Sequence, residues 1–145
     1  MSDRLRPFEA LDNFRDYGDY AGGAGRHVRA GRLFRSAHHA RATPKDLAGL
    51  DALGLSVVVD LRRPSERRDQ PSRRAPRFAG RVIESGHDDG REAPHIAFLK
   101  SGGLTAESGR RFMTDTYAGL PFDPAHLDLF ARYFRALGEA EGPVL

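Results

Sequence analysis

Two ionisable side chains follow the most apolar stretch of this sequence and are the first candidates for chemistry. Ser56-Val-Val-Val-Asp60 is a β-branched run typical of a parallel strand buried on both faces, and Arg62 comes two residues later. Ligands of open α/β sheets bind beyond the carboxyl ends of such strands. Asp60 is therefore a candidate general acid or site-ordering carboxylate, and Arg62 a candidate for attracting an anion or bracing Asp60.

Both residues also have simpler interpretations, which stay open at the level of sequence. An aspartate at a strand end often only accepts N–H bonds from the turn that follows. An arginine near the surface often forms a structural ion pair that contributes little else. The sequence does not choose between these roles for Asp60 and Arg62.

The other ionisable clusters predict neither a metal site nor a thiol nucleophile. His38 and His39 are adjacent, so they point apart on regular structure, and no third ligand has suitable spacing. The histidine and acids of 87–89 lie in a predicted loop and are interpreted as solvated. The chain contains no cysteine, which excludes disulfides and thiolate chemistry within these residues. We expect no cofactor and no bound metal.

The elements that position Asp60 can be predicted from local signals. Arg32-Leu-Phe-Arg-Ser36 alternates polar and apolar residues and predicts a short strand with Leu33 and Phe34 near its buried part. Thr43-Pro-Lys-Asp46 has the features of a helix start, namely a capping threonine, a proline in the first turn and an early acid. Gly54 is the expected helix stop.

The middle of the chain is harder to place. Residues 62–81 are rich in Arg, Pro and Ser and predict an exposed connection, with one short helical turn near Ser65-Glu66. Val82-Ile83 predicts a brief strand. Residues 84–104 are polar and glycine-containing apart from a short apolar island at 96–99, and predict a long loop or insert.

Two amphipathic helices and a final strand complete the predicted order. The helices are expected at 106–118 and 124–137, and their apolar residues are interpreted as stripes facing a core. The stripe residues are Phe112, Met113 and Tyr117 on the first helix and Leu127, Phe130, Ala131 and Phe134 on the second. Gly142-Pro-Val-Leu145 predicts a turn leading into a buried strand, so Val144-Leu145 could lie beside the strand that ends at Asp60.

Composition favours a folded single domain. The chain has 145 residues, of which 39% are apolar and 30% charged, far from the composition of a disordered protein. No apolar run approaches the roughly 20 residues that span a bilayer, and the N-terminus lacks the apolar stretch of a signal peptide. These features predict a cytoplasmic protein without a membrane span.

The positive charge does not predict nucleic-acid binding. The chain has 21 arginines and 2 lysines, a bias that a GC-rich genome also produces. In the arginine-rich span 62–81, Phe78 is the one aromatic residue, and Glu66 and Asp69 interrupt the basic residues. A solvated surface is the favoured interpretation of this span.

Taken in order, several blocks of residues resemble the atypical, dual-specificity-like family of bacterial protein-tyrosine phosphatases. The similarity extends over nearly the whole chain. The matching blocks are Asn13-Phe-Arg-Asp16, Gly31-Arg-Leu-Phe-Arg-Ser36, Leu53-Gly-Leu55, Val58-Val-Asp-Leu-Arg62, Ala93-Pro-His95 with Phe98, Met113-Thr-Asp-Thr-Tyr117 and Gly142-Pro-Val-Leu145.

This resemblance implies a fold and an activity. The fold would be a three-layer α/β domain with a mainly parallel central sheet flanked by helices, of which residues 1–145 would form the N-terminal portion. The activity would be hydrolysis of phosphomonoesters on phosphorylated proteins or phosphoinositides, through a phosphocysteine and without a cofactor. In that family a Cys-x-x-x-x-x-Arg loop would follow, and without it this chain is expected to be inactive.

The resemblance also implies roles for individual residues and leaves one alternative function open. Asp60 would protonate the leaving oxygen or order the site, and Arg62 would attract the phosphate. Arg15 and Asp16 would tie the N-terminal segment to the sheet, with direct substrate contact by Arg15 as the second option. The alternative function, motivated by the missing cysteine, is a non-catalytic binding module that retains this fold.

Overall fold

The computed structural model describes residues 4–87, 92 and 94–145. Two short strands come first, helices and strands alternate between residues 44 and 84, and three further helices follow. In chain order the elements are β1 (Arg15–Asp16), β2 (Phe34–Arg35), α1 (Pro44–Ala52), β3 (Val57–Asp60), α2 (Pro64–Asp69), β4 (Arg81–Glu84), α3 (Pro94–Lys100), α4 (Ala106–Gly119) and α5 (Pro124–Glu139), with 3₁₀ turns at Gly23–Gly25 and Leu120–Phe122.

The strands form two pairs that Val144 joins. β1 and β2 are antiparallel, whereas β3 and β4 are parallel. Val144 bridges Leu33 on one side and Val57 on the other, and both bridges are parallel. The Val59 amide donates to Leu145 O at 2.7 Å. The predicted side-by-side, parallel arrangement of the terminal segment and the Asp60 strand is therefore confirmed.

Side chains alternate between the two faces of this sheet, and each face has its own core. Phe34 and Val58 point towards α1, while Leu33 and Val57 point towards α5. The buried residues of the α1 side are Leu11, Phe14, Phe34, Ala42, Leu50, Leu55 and Val58. Those of the α5 side are Val57, Ile83, Leu129, Ala136 and Val144. The structure is thus a mixed α/β domain with helices on both faces of a small, mainly parallel sheet.

The start of α1 shows why the local prediction succeeded there. Thr43 Oγ1 accepts the Asp46 amide at 3.1 Å, and Asp46 Oδ2 accepts the Thr43 amide at 3.0 Å, which together form a capping box. Asp46 also accepts the amides of Glu9 and Ala10 at 2.7 and 2.9 Å. The cap therefore also anchors the N-terminal segment. Gly54, with a φ of +60°, follows the helix end as expected.

Two predictions about the middle of the chain were wrong in part. The 84–104 segment was expected to be a long loop or an insert; it is not a continuous loop, because its apolar island lies in α3 (Pro94–Lys100), and the insert alternative stays a prediction. Residues 88–91 and 93 lie outside the described residues, so the interpretation of Asp88 and Asp89 remains a prediction. The 62–81 connection does contain a short helix, α2, but it is not uniformly exposed: the Arg67 side chain is 15% exposed and Ala75 is buried.

The predicted helical stripes were also wrong. No residue of α4 is buried, and Met113 and Tyr117 are 48% and 60% exposed. On α5, the residues buried against the sheet are Leu129 and Ala136, whereas Leu127 and Phe134 face away. The apolar residues of α5 occur on two faces, and tertiary packing selected the one that the sequence did not single out.

Candidate functional site

Asp60 ends β3, at the edge where the parallel strands present their carboxyl ends. It is 8% exposed, and Arg62 holds it with a two-point ion pair. Arg62 Nε donates to Oδ1 at 2.9 Å and Nη2 donates to Oδ2 at 2.7 Å. The Arg62 amide donates to Oδ1 at 3.1 Å, and Ser72 Oγ donates to Oδ2 at 3.4 Å. The structure therefore brings together Asp60 and Arg62 as predicted.

These donors determine the ionisation of Asp60. Burial acts to raise its pKa, but the side-chain and backbone hydrogen bonds from Arg62 and the charges of Arg62 and Arg67 outweigh burial. The pKa of Asp60 is therefore below its usual value. The same pair raises the pKa of Arg62. Asp60 is a fixed anion near neutral pH.

The guanidinium of Arg62 is engaged on all sides. Besides Asp60, it donates from Nη2 to Ser72 Oγ at 2.8 Å and from Nη1 to Gln70 O at 2.8 Å. A planar guanidinium has five N–H donors in a fixed fork, and these contacts use each of its three nitrogens. In this arrangement Arg62 orders the segment after β3.

A second arginine, Arg67 of α2, connects the ends of β3 and β4. Its Nη1 donates to Arg62 O, and its Nη2 donates to Ser85 O at 2.6 Å. Its Nε lies 3.5 Å from a carboxylate oxygen of Glu84. One side chain thus fixes the backbone just beyond two adjacent strands.

On the α1 side of β3 lies a small cavity of about 90 Å³, whose lining includes Val58, His39 and Arg74. His39 is 4% exposed, and its Nε2 is 2.9 Å from Ser36 Oγ. Because Ser36 Oγ gives its hydrogen to Ala37 O, it accepts from His39, which leaves Nδ1 as the bare nitrogen. Nδ1 has no donor among the residues that the structure describes.

The electrostatics of this cavity disfavour extra positive charge. Burial, with the nearby Arg74 charge, lowers the pKa of His39 to about 4, so the ring is neutral at pH 7. Burial also lowers the pKa of Arg74, although Asp60 and Glu84 act against it. Among the described residues no carboxylate contacts Nδ1 of His39, so these residues do not complete a nucleophilic triad with Ser36 and His39.

Arg15 is not part of the Asp60 cluster. It lies on β1 directly opposite Arg35 of β2, on the antiparallel side of the sheet. Its neighbour Asp16 is paired with Arg6 at 3.1 Å and accepts the amides of Gly18 and Gly31. The N-terminal segment is therefore tied down by Asp16 through Arg6, and the expected structural pairing does not involve the Arg15 side chain.

Sequence reasoning missed four residues of this site: His39, Arg67, Ser72 and Arg74. Arg67, Ser72 and Arg74 stand in the span interpreted as a solvated connection. A usable signal was the cluster of arginines directly after a buried strand that ends in aspartate. His39 carried no local signal, because its environment is created by residues 21 and 35 positions away.

Within residues 4–87, 92 and 94–145, no three His, Asp or Glu side chains converge as metal ligands. None of the helices in these ranges has the length and apolarity needed to cross a membrane.

Comparison with known proteins agrees with this architecture. A sequence profile described as the tyrosine phosphatase family matches residues 6–145. A Cupriavidus necator protein that carries a provisional tyrosine-protein phosphatase name is 34% identical over 131 residues. The alignment covers 88% of this chain and 45% of the relative, so the chain spans less than half the relative's length. On the profile match over nearly its whole length, the chain belongs to the tyrosine phosphatase family.

Proposed function

We propose that the protein containing these residues hydrolyses phosphomonoesters by a phosphocysteine mechanism, with phosphotyrosine as the first substrate to test. The observation that carries the proposal is the parallel alignment of β3 with Val144-Leu145, with Asp60 and Arg62 at the shared edge. Dual specificity, towards phosphoserine, phosphothreonine or phosphoinositides, is part of the proposal, as is a cytoplasmic location.

The chemistry needs a thiolate that these residues do not contain. In the first step the sulfur bonds to phosphorus while the P–O bond to the leaving group breaks, and the leaving oxygen takes a proton from a general acid. In the second step the oxygen of a water molecule bonds to phosphorus while the S–P bond breaks. The water gives its proton to the same group, now acting as a base, and phosphate and thiolate are released. The 145 residues include no cysteine, so the proposal requires a thiol from outside them.

Asp60 is better suited to ordering the site than to donating a proton. A general acid works best when its pKa is near the working pH, whereas the donors around Asp60 lower its pKa. Arg62 shares this role, because its guanidinium is committed to Asp60, Ser72 and Gln70. We therefore propose that this pair is a positioning unit for the phosphate-binding segment.

The decisive experiment compares two polypeptides. The coding sequence is read beyond Leu145, and any longer product is assayed beside the 145-residue chain for phosphate release from a phosphotyrosine peptide. We expect turnover by the longer product and none by the 145-residue chain. Absence of a Cys-x-x-x-x-x-Arg segment within the next few codons would remove the basis for the enzymatic proposal.

The lack of cysteine favours one alternative, a binding module that uses this fold without catalysis. It predicts that the 145-residue chain folds cooperatively and retains a phosphopeptide without hydrolysing it. Circular dichroism and a pull-down with phosphorylated and unphosphorylated peptide distinguish the two proposals. A molten chain with no preference for the phosphorylated peptide would count against the binding module.

A further inference from the structure

Two arginines face each other across the β1–β2 pair. Arg15 and Arg35 are direct partners in the antiparallel register. Side chains of directly opposed residues project from the same face, with their Cβ atoms about 5 Å apart. Like charges in this position destabilise a sheet unless something neutralises them.

Nothing in the described part of the chain neutralises this pair. No carboxylate there lies within 4.0 Å of either guanidinium. Arg15 Nε is buried and has no acceptor among those residues. Asp16, next in sequence, projects to the opposite face and is occupied by Arg6, Gly18 and Gly31.

Two tyrosine side chains lie beside Arg35. The hydroxyl of Tyr17 raises the pKa of Arg35, against the effect of burial, and Tyr117 of α4 adds to the rise. Tyrosine hydroxyls can donate to an oxyanion as well as accept from a guanidinium. The surroundings of Arg35 therefore contain further donors for a negatively charged group.

The strand register places the pair near the edge that carries Asp60. Leu33 and Val57 both bridge Val144 in parallel, so Arg35 is level with Val59, one residue short of Asp60. By alternation Arg35 shares the α5 side with Leu33, whereas Asp60 shares the α1 side with Val58. The two arginines thus lie at the same end of the sheet as Asp60 but on its other face.

We infer that Arg15 and Arg35 form an oxyanion subsite for a phosphate group, distinct from the Asp60–Arg62 unit. Two guanidiniums on one face match the charge of a phosphate dianion, and a bound anion would remove their mutual repulsion. The inferred substrate class, which rests on the proposed function, is a doubly phosphorylated molecule. Its second phosphate would occupy this subsite.

The primary test uses the 145-residue chain and inorganic phosphate. Binding is measured by NMR titration for the parent, for Arg15→Met/Arg35→Met, for Arg15→Lys/Arg35→Lys, and for Arg29→Met at an exposed position as the control. Circular dichroism establishes that each variant is folded. We expect the methionine double variant to bind about tenfold more weakly or worse, with partial retention in the lysine variant and no change in the control.

Failure of the subsite and failure of the proposed function are distinguishable. No saturable phosphate binding by the parent, or equal binding by the methionine variant, overturns the subsite whether or not an enzyme exists. If a longer active product is obtained, the same substitutions should reduce its preference for a doubly over a singly phosphorylated peptide. If the ratio of kcat/KM for the doubly phosphorylated peptide to kcat/KM for the singly phosphorylated peptide did not change, the subsite would bind some anion other than the substrate. That result would overturn the proposed substrate class.

Discussion

At the scale of single residues, hydrogen bonds determine the ionisation and orientation of the charged groups in this site. Asp60 receives three donors from Arg62 and one from Ser72. These contacts are made inside a partly desolvated edge of the sheet, where removing one member of an ion pair leaves the other uncompensated. The consequence is a strong dependence of stability on one carboxylate.

We predict that Asp60→Asn lowers the free energy of unfolding by about 3 kcal/mol, because Arg62 is left buried without a counter-charge. Urea unfolding at pH 7 measures this. Asp128→Asn is the matched control: it breaks the Arg132 ion pair, whose aspartate is 78% exposed, and should cost less than about 1 kcal/mol. Equal losses of unfolding free energy for Asp60→Asn and Asp128→Asn would contradict a buried ion pair between Asp60 and Arg62.

The lowered pKa of Asp60 also predicts how this difference changes with pH. A carboxyl whose pKa is depressed by folding stabilises the protein above the pKa of the unfolded chain and loses that contribution as the pH falls through the folded pKa. The stability gap between the parent and Asp60→Asn should therefore narrow below about pH 4. If the difference in unfolding free energy between the parent and Asp60→Asn instead grew as the pH fell, folding would not lower the pKa of Asp60.

His39 predicts a separate pH dependence at milder acidity. Its pKa is about 4 in the folded state against 6.5 for the free side chain, so below pH 6.5 the unfolded chain binds the proton more readily. Stability should fall by about 2 kcal/mol between pH 7 and pH 5 on account of this residue. His39→Gln should remove that part of the loss in urea unfolding, whereas His27→Gln, at an exposed position, should not.

At the scale of elements, local signals were sufficient where a single feature decided the outcome. The β-branched run before Asp60 and the Thr43-Pro44 start were enough to predict β3 and α1. Local signals failed for α5, because apolar residues occur on two faces of this helix. Hydrophobicity alone does not say which of the two faces packs against the sheet. The cavity at His39 and Arg74 could not be predicted either, since it depends on contacts between distant segments.

The orientation of α5 provides a direct test. Leu129→Ala should cost about 3 kcal/mol of unfolding free energy, because Leu129 is 1% exposed in the core beneath the helix. Phe134→Ala should cost less than about 1 kcal/mol, because Phe134 is 67% exposed, despite the larger side chain removed. A larger loss for Phe134→Ala than for Leu129→Ala would mean that α5 packs on the sheet through the predicted stripe that contains Phe134.

At the scale of the whole molecule, the sheet depends on a short terminal segment. Val144 is 3% exposed and bridges residues of both strand pairs. Its side chain belongs to the α5-side core, while Leu145 packs against the α1-side core. The parallel order was predictable from the run of apolar strands and the family resemblance. The contribution of Val144 to joining two otherwise separate strand pairs could be seen only in the structure.

We predict that Val144→Ala lowers the free energy of unfolding by about 2 kcal/mol. The matched control is Val82→Ala on β4, where the valine is 40% exposed and the loss should be below about 1 kcal/mol. Chemical unfolding followed by far-ultraviolet circular dichroism compares the two. Similar losses would mean that the Val144 side chain contributes no more to the core than an exposed valine does.

The three oxygens contacted by Arg67 have a consequence for how this sequence can diverge. Lysine carries the same charge, but a single ammonium on a flexible stem does not reproduce a planar fork that reaches Arg62 O, Ser85 O and Glu84 together. A saturation-mutagenesis survey should therefore find position 67 intolerant even of lysine, while Asp69, exposed at the end of the same helix, accepts many replacements. The backbone geometry of the site would then depend on Arg67 even though this residue does not contact a substrate.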